Sequence, residues 1–337
     1  MARRRAIDAT LARQRAAASK RAPSRSGSTR NRAAGVEITR TRLRAWPLPM
    51  PDARSDKDAR GRVLVVGGCP EIPGAVLLAA EAALRAGAGK LQVATGGSAA
   101  PLVAAALPEA HVVALPQTRA GAFGSGAREV LERLQEQVDA VLVGPGQVPA
   151  DATARMLAAW IGALPRSVTA VLDAAGLDSV AHLSRDAGPA RVLTPHAGEM
   201  ARLLGIGKEQ AGADARACAL EAASRFGGVV VAKGACTWIA GEGAMRVPLF
   251  NRAGNVGLAM SGSGDTLAGV IAGLAARGAP PLQAAAWGVH LHALAGDALA
   301  QRIGPLGYLA RELLAEIPAL MHALSPPGAK RAMRNRA

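Results

Sequence analysis

Four consecutive residues, Gly262-Ser263-Gly264-Asp265, place a carboxylate where a glycine-rich loop runs into an apolar helix pattern. Glycines there let a ligand approach the main chain closely. The first turn of the helix offers unpaired N–H groups backed by the positive end of the macrodipole. Such a turn receives a phosphate or a developing anion, so Gly262, Ser263 and Gly264 form a candidate anion hole. Asp265 beside them can take a proton from a substrate hydroxyl. A helix N-cap is the other use of an Asp at this place, and taken alone the block fits a cap first. The rest of the chain reverses that order.

Lys233-Gly234-Ala235-Cys236-Thr237 sets a cation at the end of an apolar run and a hydroxyl four residues later. Lysine neutralises phosphate as a point charge; an exposed hairpin lysine is the plainer reading. His196 and Glu199 stand three residues apart near a helix start. They can orient a substrate and hold Mg²⁺ through water, or simply satisfy the helix terminus. Gly67-Gly68, Pro73-Gly74-Ala75 and Gly144-Pro145-Gly146 are loops with little side-chain bulk, suited to a planar substrate and equally to plain turns.

These pieces need a scaffold, and the periodicity supplies one. Strands are expected at Arg62–Val66, Leu91–Thr95, Val112–Leu115, Asp139–Val143, Thr169–Leu172, Arg191–Leu193 and Val229–Ala232, with more β structure at Thr237–Ala240 and Met245–Pro248. Helices are expected at Gly74–Ala86, Gly126–Gln137, Ala152–Leu164, Glu199–Leu204 and Lys208–Phe226. From Gly264 the pattern is helical through Arg277, Leu282–Arg302 and Gly307–Leu320. The alternation implies an α/β fold: a mainly parallel sheet with helices on both faces. Ligands of such sheets lie outside the carboxyl ends of the strands, and the polar and glycine-rich features fall there.

The chain has 337 residues, half of them hydrophobic and 2% aromatic, with net charge +15. Most of that charge is terminal. Residues 1–34 carry ten Lys or Arg against Asp8, and residues 326–337 carry four with no acid. We expect basic disordered tails at 1–45 and 326–337 around one domain at 46–325. The N-terminal composition also resembles a transit peptide but lacks the apolar core of a secretory signal. With one tyrosine and three phenylalanines to stack on bases, a nucleic-acid-binding protein is a remote alternative. Interruptions in every apolar run exclude a membrane helix. Three cysteines without ligand spacing fit a reduced, cytoplasmic protein. His290 and His292 fall in an apolar helix and read as core or interface groups.

Taken in order, Pro73-Gly74-Ala75 with Arg85-Ala86-Gly87-Ala88-Gly89-Lys90, Leu193-Thr194-Pro195-His196-Ala197-Gly198-Glu199, Lys233–Thr237, and Asn251–Ala259 with Gly262–Asp265 resemble the ADP-dependent NAD(P)H-hydrate dehydratase family. The resemblance spans about residues 60 to 321 and implies a ribokinase-like three-layer α/β/α fold without a separate lid domain. It also implies repair of the (S)-hydrates of NADH and NADPH. ADP phosphorylates the ring hydroxyl, phosphate leaves, and AMP is released. By resemblance Asp265 is the base; Lys233, Gly234, Ala235, Cys236, Thr237 and Gly264 bind ADP; Ala75, Gly146, His196 and Asp265 bind the hydrate. Mg²⁺, a homotetramer and a separate epimerase partner are further implications. The apolar helix around Trp287–Ala300 is expected to lie under a neighbouring subunit. Ala175, Cys69 and Gln147 depart from the family pattern. The rival within the same fold is a hydroxyethylthiazole or hydroxymethylpyrimidine kinase.

Overall fold

A mixed sheet of ten strands organises the protein, in the order β1-β10-β9-β8-β7-β6-β5-β2-β3-β4. The computed structural model describes residues 35–52, 56–241 and 247–325. The strands are β1 (Val36–Glu37), β2 (Arg62–Val66), β3 (Lys90–Gly96), β4 (Ala110–Leu115), β5 (Ala140–Val143), β6 (Thr169–Leu172), β7 (Ala190–Leu193), β8 (Val229–Ala232), β9 (Thr237–Ala240) and β10 (Leu249–Asn251). Only the β8–β9 and β9–β10 pairs are antiparallel. β2 shows why both faces are covered: Val63 and Val65 enter one apolar core, while Leu64 and Val66 enter the other. Alternation with no polar face is what a sheet covered by helices on both sides requires.

On one face pack α1 (Arg40–Ala45), α2 (Pro73–Arg85), α3 (Ala100–Ala106), α9 (Ser263–Ala276), α10 (Pro281–Arg302) and α11 (Ala310–Leu324). On the other lie α4 (Ala127–Leu134), α5 (Asp151–Ala163), α6 (Ala197–Leu204), α7 (Lys208–Ala213) and α8 (Ala215–Phe226). The contact that matters most for function is α2 against α9. A Cβ on Gly269 would stand 2.1 Å from the Ala79 carbonyl oxygen, and one on Gly273 would stand 2.3 Å from that of Ala83. The two backbones touch and run parallel, and the same offset brings Asp265 level with Ala75.

Several expectations change. The disorder expected at 1–45 does not hold over 35–45: β1 pairs with β10, and Ile38 and Leu43 are buried. Residues 1–34 and 326–337 of the expected tails, with Met245 and Arg246, lie outside the described residues; the β structure expected at Met245–Pro248 begins later, at Leu249 of β10, where it pairs with β9. The single helix expected over Lys208–Phe226 is two, because the Asp214 side chain accepts from Ala217 N–H at 3.1 Å and starts a second helix. Neither α3 nor the 3₁₀ segment Ala174–His182 was anticipated. α10 needs no neighbouring subunit to cover it: Trp287, Leu291, Ala295 and Leu299 are wholly buried within this one chain. Its apolar breadth therefore gives no ground for a subunit interface. Among the described residues no helix is long and apolar enough to cross a membrane, and no separate lid domain appears.

Candidate active site

β2 lies between β3 and β5, so the direction of strand succession reverses there and opens a crevice at the carboxyl ends. Gly67-Gly68 follow β2, Gly144-Pro145-Gly146 follow β5, and the two loops join where Gly68 N–H donates to the Pro145 carbonyl at 2.7 Å. Gly146 has φ +64°, and a Cβ there would stand 2.6 Å from Ile72 O and 2.9 Å from Ala75 Cβ. The structure thus brings Ala75 and Gly146 together, with Gln147 buried behind them.

Farther along the same rim, β6 ends at Asp173, β7 leads to Thr194 and His196, and β8 leads to Lys233. His196 and Lys233 form a parallel β-bridge beyond the named strands. Lys233 Nζ donates to Asp173 Oδ1 at 2.8 Å, and Thr194 Oγ1 donates to that same oxygen at 2.6 Å. Glu199 Oε2 is 3.7 Å from the ammonium. A Cβ on Gly264 would be 3.3 Å from Lys233 Nζ, so the ammonium stands at the first turn of α9. Burial alone would depress the Lys233 ammonium, but Asp173 and Glu199 overcome it and raise its pKa.

Asp265 opens α9 in this company. Its pKa rises from 3.8 to about 6, chiefly through burial and then through the charge of Asp173, against the opposing pull of Lys233 and its own backbone N–H. A helix terminus favours the ionised form, and desolvation outweighs it here. At pH 7 the group is still roughly nine-tenths ionised, which leaves a base matched to neutral pH. At the candidate anion hole, Gly262 caps the helix, while Ser263 turns its hydroxyl inward to His292 Nε2 at 3.0 Å. The hole therefore offers backbone N–H groups, not the Ser263 hydroxyl.

His196 is the N-cap of α6. Its Nδ1 accepts from Gly198 and Glu199 N–H at 3.0 and 3.2 Å, while Glu199 Oε2 accepts from His196 N–H at 2.8 Å. Glu199 Oε1 lies 3.4 Å from His196 Nε2. Both oxygens of Glu199 already have partners, and among the described residues no three His, Cys, Asp or Glu side chains converge on a metal position. Among the described residues no direct cage for Mg²⁺ forms, and a Mg²⁺ at Glu199 would be held through water.

A cavity of about 430 Å³ lies beside Lys233, lined by His196, Gly234, Ala235 and Cys236, with Met200 and Trp238 as apolar walls. Thr237 Oγ1 closes the turn onto Gly234 O at 3.3 Å. A second cavity, about 560 Å³, opens among Arg166, Ala190, Val229 and Pro281. It sits at the starting ends of β7 and β8, across the sheet from the carboxylates, and is no part of this site.

The loop before α9 is held from α10. His290 Nδ1 lies 2.8 Å from Asn251 Oδ1, and the Asp297 carboxylate accepts from Gly254 N–H at 3.0 Å and Asn255 Nδ2 at 3.1 Å. Tyr308 donates to Asn255 Oδ1 at 2.8 Å. Sequence reasoning gave no role to Asp173, although it stands at a strand end on the same rim, and missed Thr194 and Asp297 as site-building residues. The strand-end position of Asp173 was the available signal; nothing local marked Asp297.

The NAD(P)H-hydrate dehydratase family model matches residues 63–319. An ADP-dependent (S)-NAD(P)H-hydrate dehydratase of Xanthomonas campestris is 48% identical over 289 residues, 85% of this chain and 96% of that protein. A bifunctional NAD(P)H-hydrate repair enzyme of Moorella thermoacetica is 42% identical over 83% of this chain, which spans only 53% of that longer protein. Among solved structures, an ADP/ATP-dependent NAD(P)H-hydrate dehydratase from Bacillus subtilis, co-crystallised with ATP and Mg²⁺, superposes with TM-score 0.72 at 27% identity, covering 87% of this chain and 100% of that one. The architecture is ribokinase-like. With the family match covering the sheet from β2 to β10, the glycine loops and the α9 terminus alike, the chain belongs to the NAD(P)H-hydrate dehydratase family.

Proposed function

We propose that this protein carries out ADP-dependent dehydration of the (S)-hydrates of NADH and NADPH, restoring the dihydronicotinamide and releasing AMP and phosphate. The observation that carries the reading is Asp265, its carboxyl raised to about 6 at the α9 terminus beside Lys233. The hydrate ring lies against Ala75 and Gly146, with His196 at the rim. ADP occupies the cavity at Lys233–Thr237 with its phosphates toward α9; about 430 Å³ is within the range of small-ligand sites.

Asp265 accepts the proton of the ring hydroxyl as its oxygen attacks the terminal phosphorus of ADP. The bond to the bridging oxygen breaks and AMP leaves. Backbone N–H groups at the α9 terminus and the Lys233 ammonium stabilise the charge in flight, the main demand of phosphoryl transfer. The carbon–oxygen bond then breaks, phosphate leaves with the electron pair and takes up the proton of the adjacent ring carbon, and the C–H electrons restore the ring double bond. Glu199 would hold Mg²⁺ through water, and the ion would offset the charge of the nucleotide's phosphates. A separate epimerase interconverts the hydrate epimers, and the three free cysteines suit a reducing cytoplasm.

Incubation with NADH hydrate, Mg²⁺ and ADP, with ATP in a parallel sample, tests the reading. NADH absorbance returning in step with AMP and phosphate is the expected result. A stable phosphorylated product without that absorbance would instead make this protein a kinase.

A further inference from the structure

Lys233 occupies an electrostatically opposed position: a cation at the positive end of a helix. It stays there because of what surrounds it. Asp173 is 2% exposed, and its Oδ1 is shared by the ammonium at 2.8 Å and the Thr194 hydroxyl at 2.6 Å. A buried carboxylate is strongly stabilised by such partners and leaves them unpaired if removed. We propose that Asp173 is a positioning residue for the phosphoryl step: it holds the Lys233 ammonium against the first turn of α9 and adds its negative charge to the surroundings in which Asp265 works. The assignment rests on the dehydratase reading above.

The geometry requires this help. Lys233 reaches Asp173 from β8 past the end of β7, a span that brings its Nζ to the Gly264 backbone. Without the Asp173 oxygen the flexible side chain would have only Glu199, at 3.7 Å, to direct it. The incoming phosphoryl group then meets an ammonium already in place, so little reorganisation accompanies the reaction. The groups facing Asp265 can be named: Asp173 from β6, Lys233 from β8 and Glu199 from α6. His292 of α10 is held near 4 by burial and is neutral in the working range. The charged residues of α2, Glu81 and Arg85, lie in its last turns, away from Ala75.

The test is the acid limb of kcat/KM, which reports the base in the free enzyme. Asp173→Asn keeps an acceptor for Lys233 and Thr194 but removes the charge. The limb should fall from about 6 by roughly one pH unit, with kcat on the plateau about tenfold lower. Lys233→Gln should move the limb the opposite way, because the ammonium favours ionised Asp265; a merely structural role would not produce opposite shifts. Asp173→Glu keeps the charge but displaces the ammonium, so its limb should stay near 6 while kcat falls. Asp173→Asn with an unmoved limb overturns the proposal, and so does Asp173→Glu with wild-type kcat if the Asn variant fails to fold. Wild-type enzyme that yields no NADH would sink the dehydratase reading instead, a distinct outcome.

Discussion

His292 and Ser263 meet inside the protein: Nε2 of the histidine, in the middle of α10, lies 3.0 Å from the serine hydroxyl in the first turn of α9. Both side chains are buried. The contact fixes the first turn of α9, and it gives a buried histidine of α10 its partner.

Replacing His292 with leucine leaves the Ser263 hydroxyl buried without that partner. The cost should be about 1–3 kcal/mol, read as a lowered urea midpoint at unchanged slope. The double variant His292→Leu, Ser263→Ala should recover part of the loss. No recovery would mean that the two groups are not coupled.

Asp265→Asn separates catalysis from stability. Turnover should fall roughly 10²–10⁴-fold, the range for losing a positioned base, with ADP affinity little changed because that site is built from Lys233–Thr237 and backbone. Stability should move the other way. A carboxyl raised from 3.8 to about 6 binds protons more tightly folded than unfolded, so it costs stability as pH rises through that window. At pH 7 the Asn variant should be more stable by about 1–3 kcal/mol. A variant with wild-type kcat, or one less stable than the parent, would count against the assignment.

The buried imidazoles of His290 and His292 work in the opposite sense. Burial lowers both from 6.5 to about 4. Unfolded chains take up these protons first, so the stability is complete above about 6.5 and is lost as pH falls toward 4. Acid titration of ΔG should therefore slope downward over this window, and more steeply in Asp265→Asn, where the opposing carboxyl is gone. Equal slopes in parent and variant would contradict the Asp265 shift.

Truncation should divide at residue 34. Removing 1–34 leaves dehydration intact, since no motif lies there. Removing 1–45 strips β1 from β10 and deletes Ile38 and Leu43 from the core. Losing the buried leucine alone costs about 2–5 kcal/mol, so the melting temperature should drop by several degrees. Equal melting temperatures for the two truncations would show that β1 and α1 contribute nothing.

At Gly146 a methyl group has no room. The positive φ is strained for alanine, and its Cβ would fall 2.6 Å from Ile72 O and 2.9 Å from Ala75 Cβ. Gly146→Ala should raise KM for the hydrate about tenfold or more while ADP binding is retained. An unchanged KM would take Gly146 out of the substrate site.

Local sequence determined a good deal. Short β-branched runs between Ala-rich helical stretches fix a buried parallel sheet, since no other arrangement hides strands that are apolar on both sides. Gly262–Asp265 and Lys233–Thr237 were legible because glycine beside a charge at an element boundary has few uses. Three things only the tertiary structure decided. Val36–Glu37 became a strand because β10 offered it an edge, which two residues cannot announce. The direction of the Asp265 shift came from burial and from Asp173, contributed by a strand ninety-two residues earlier in the sequence. The partners of Lys233, His292 and Asp297 were likewise set by distant packing. Side-chain periodicity reports which face is hidden; it carries no information about which distant polar group waits there.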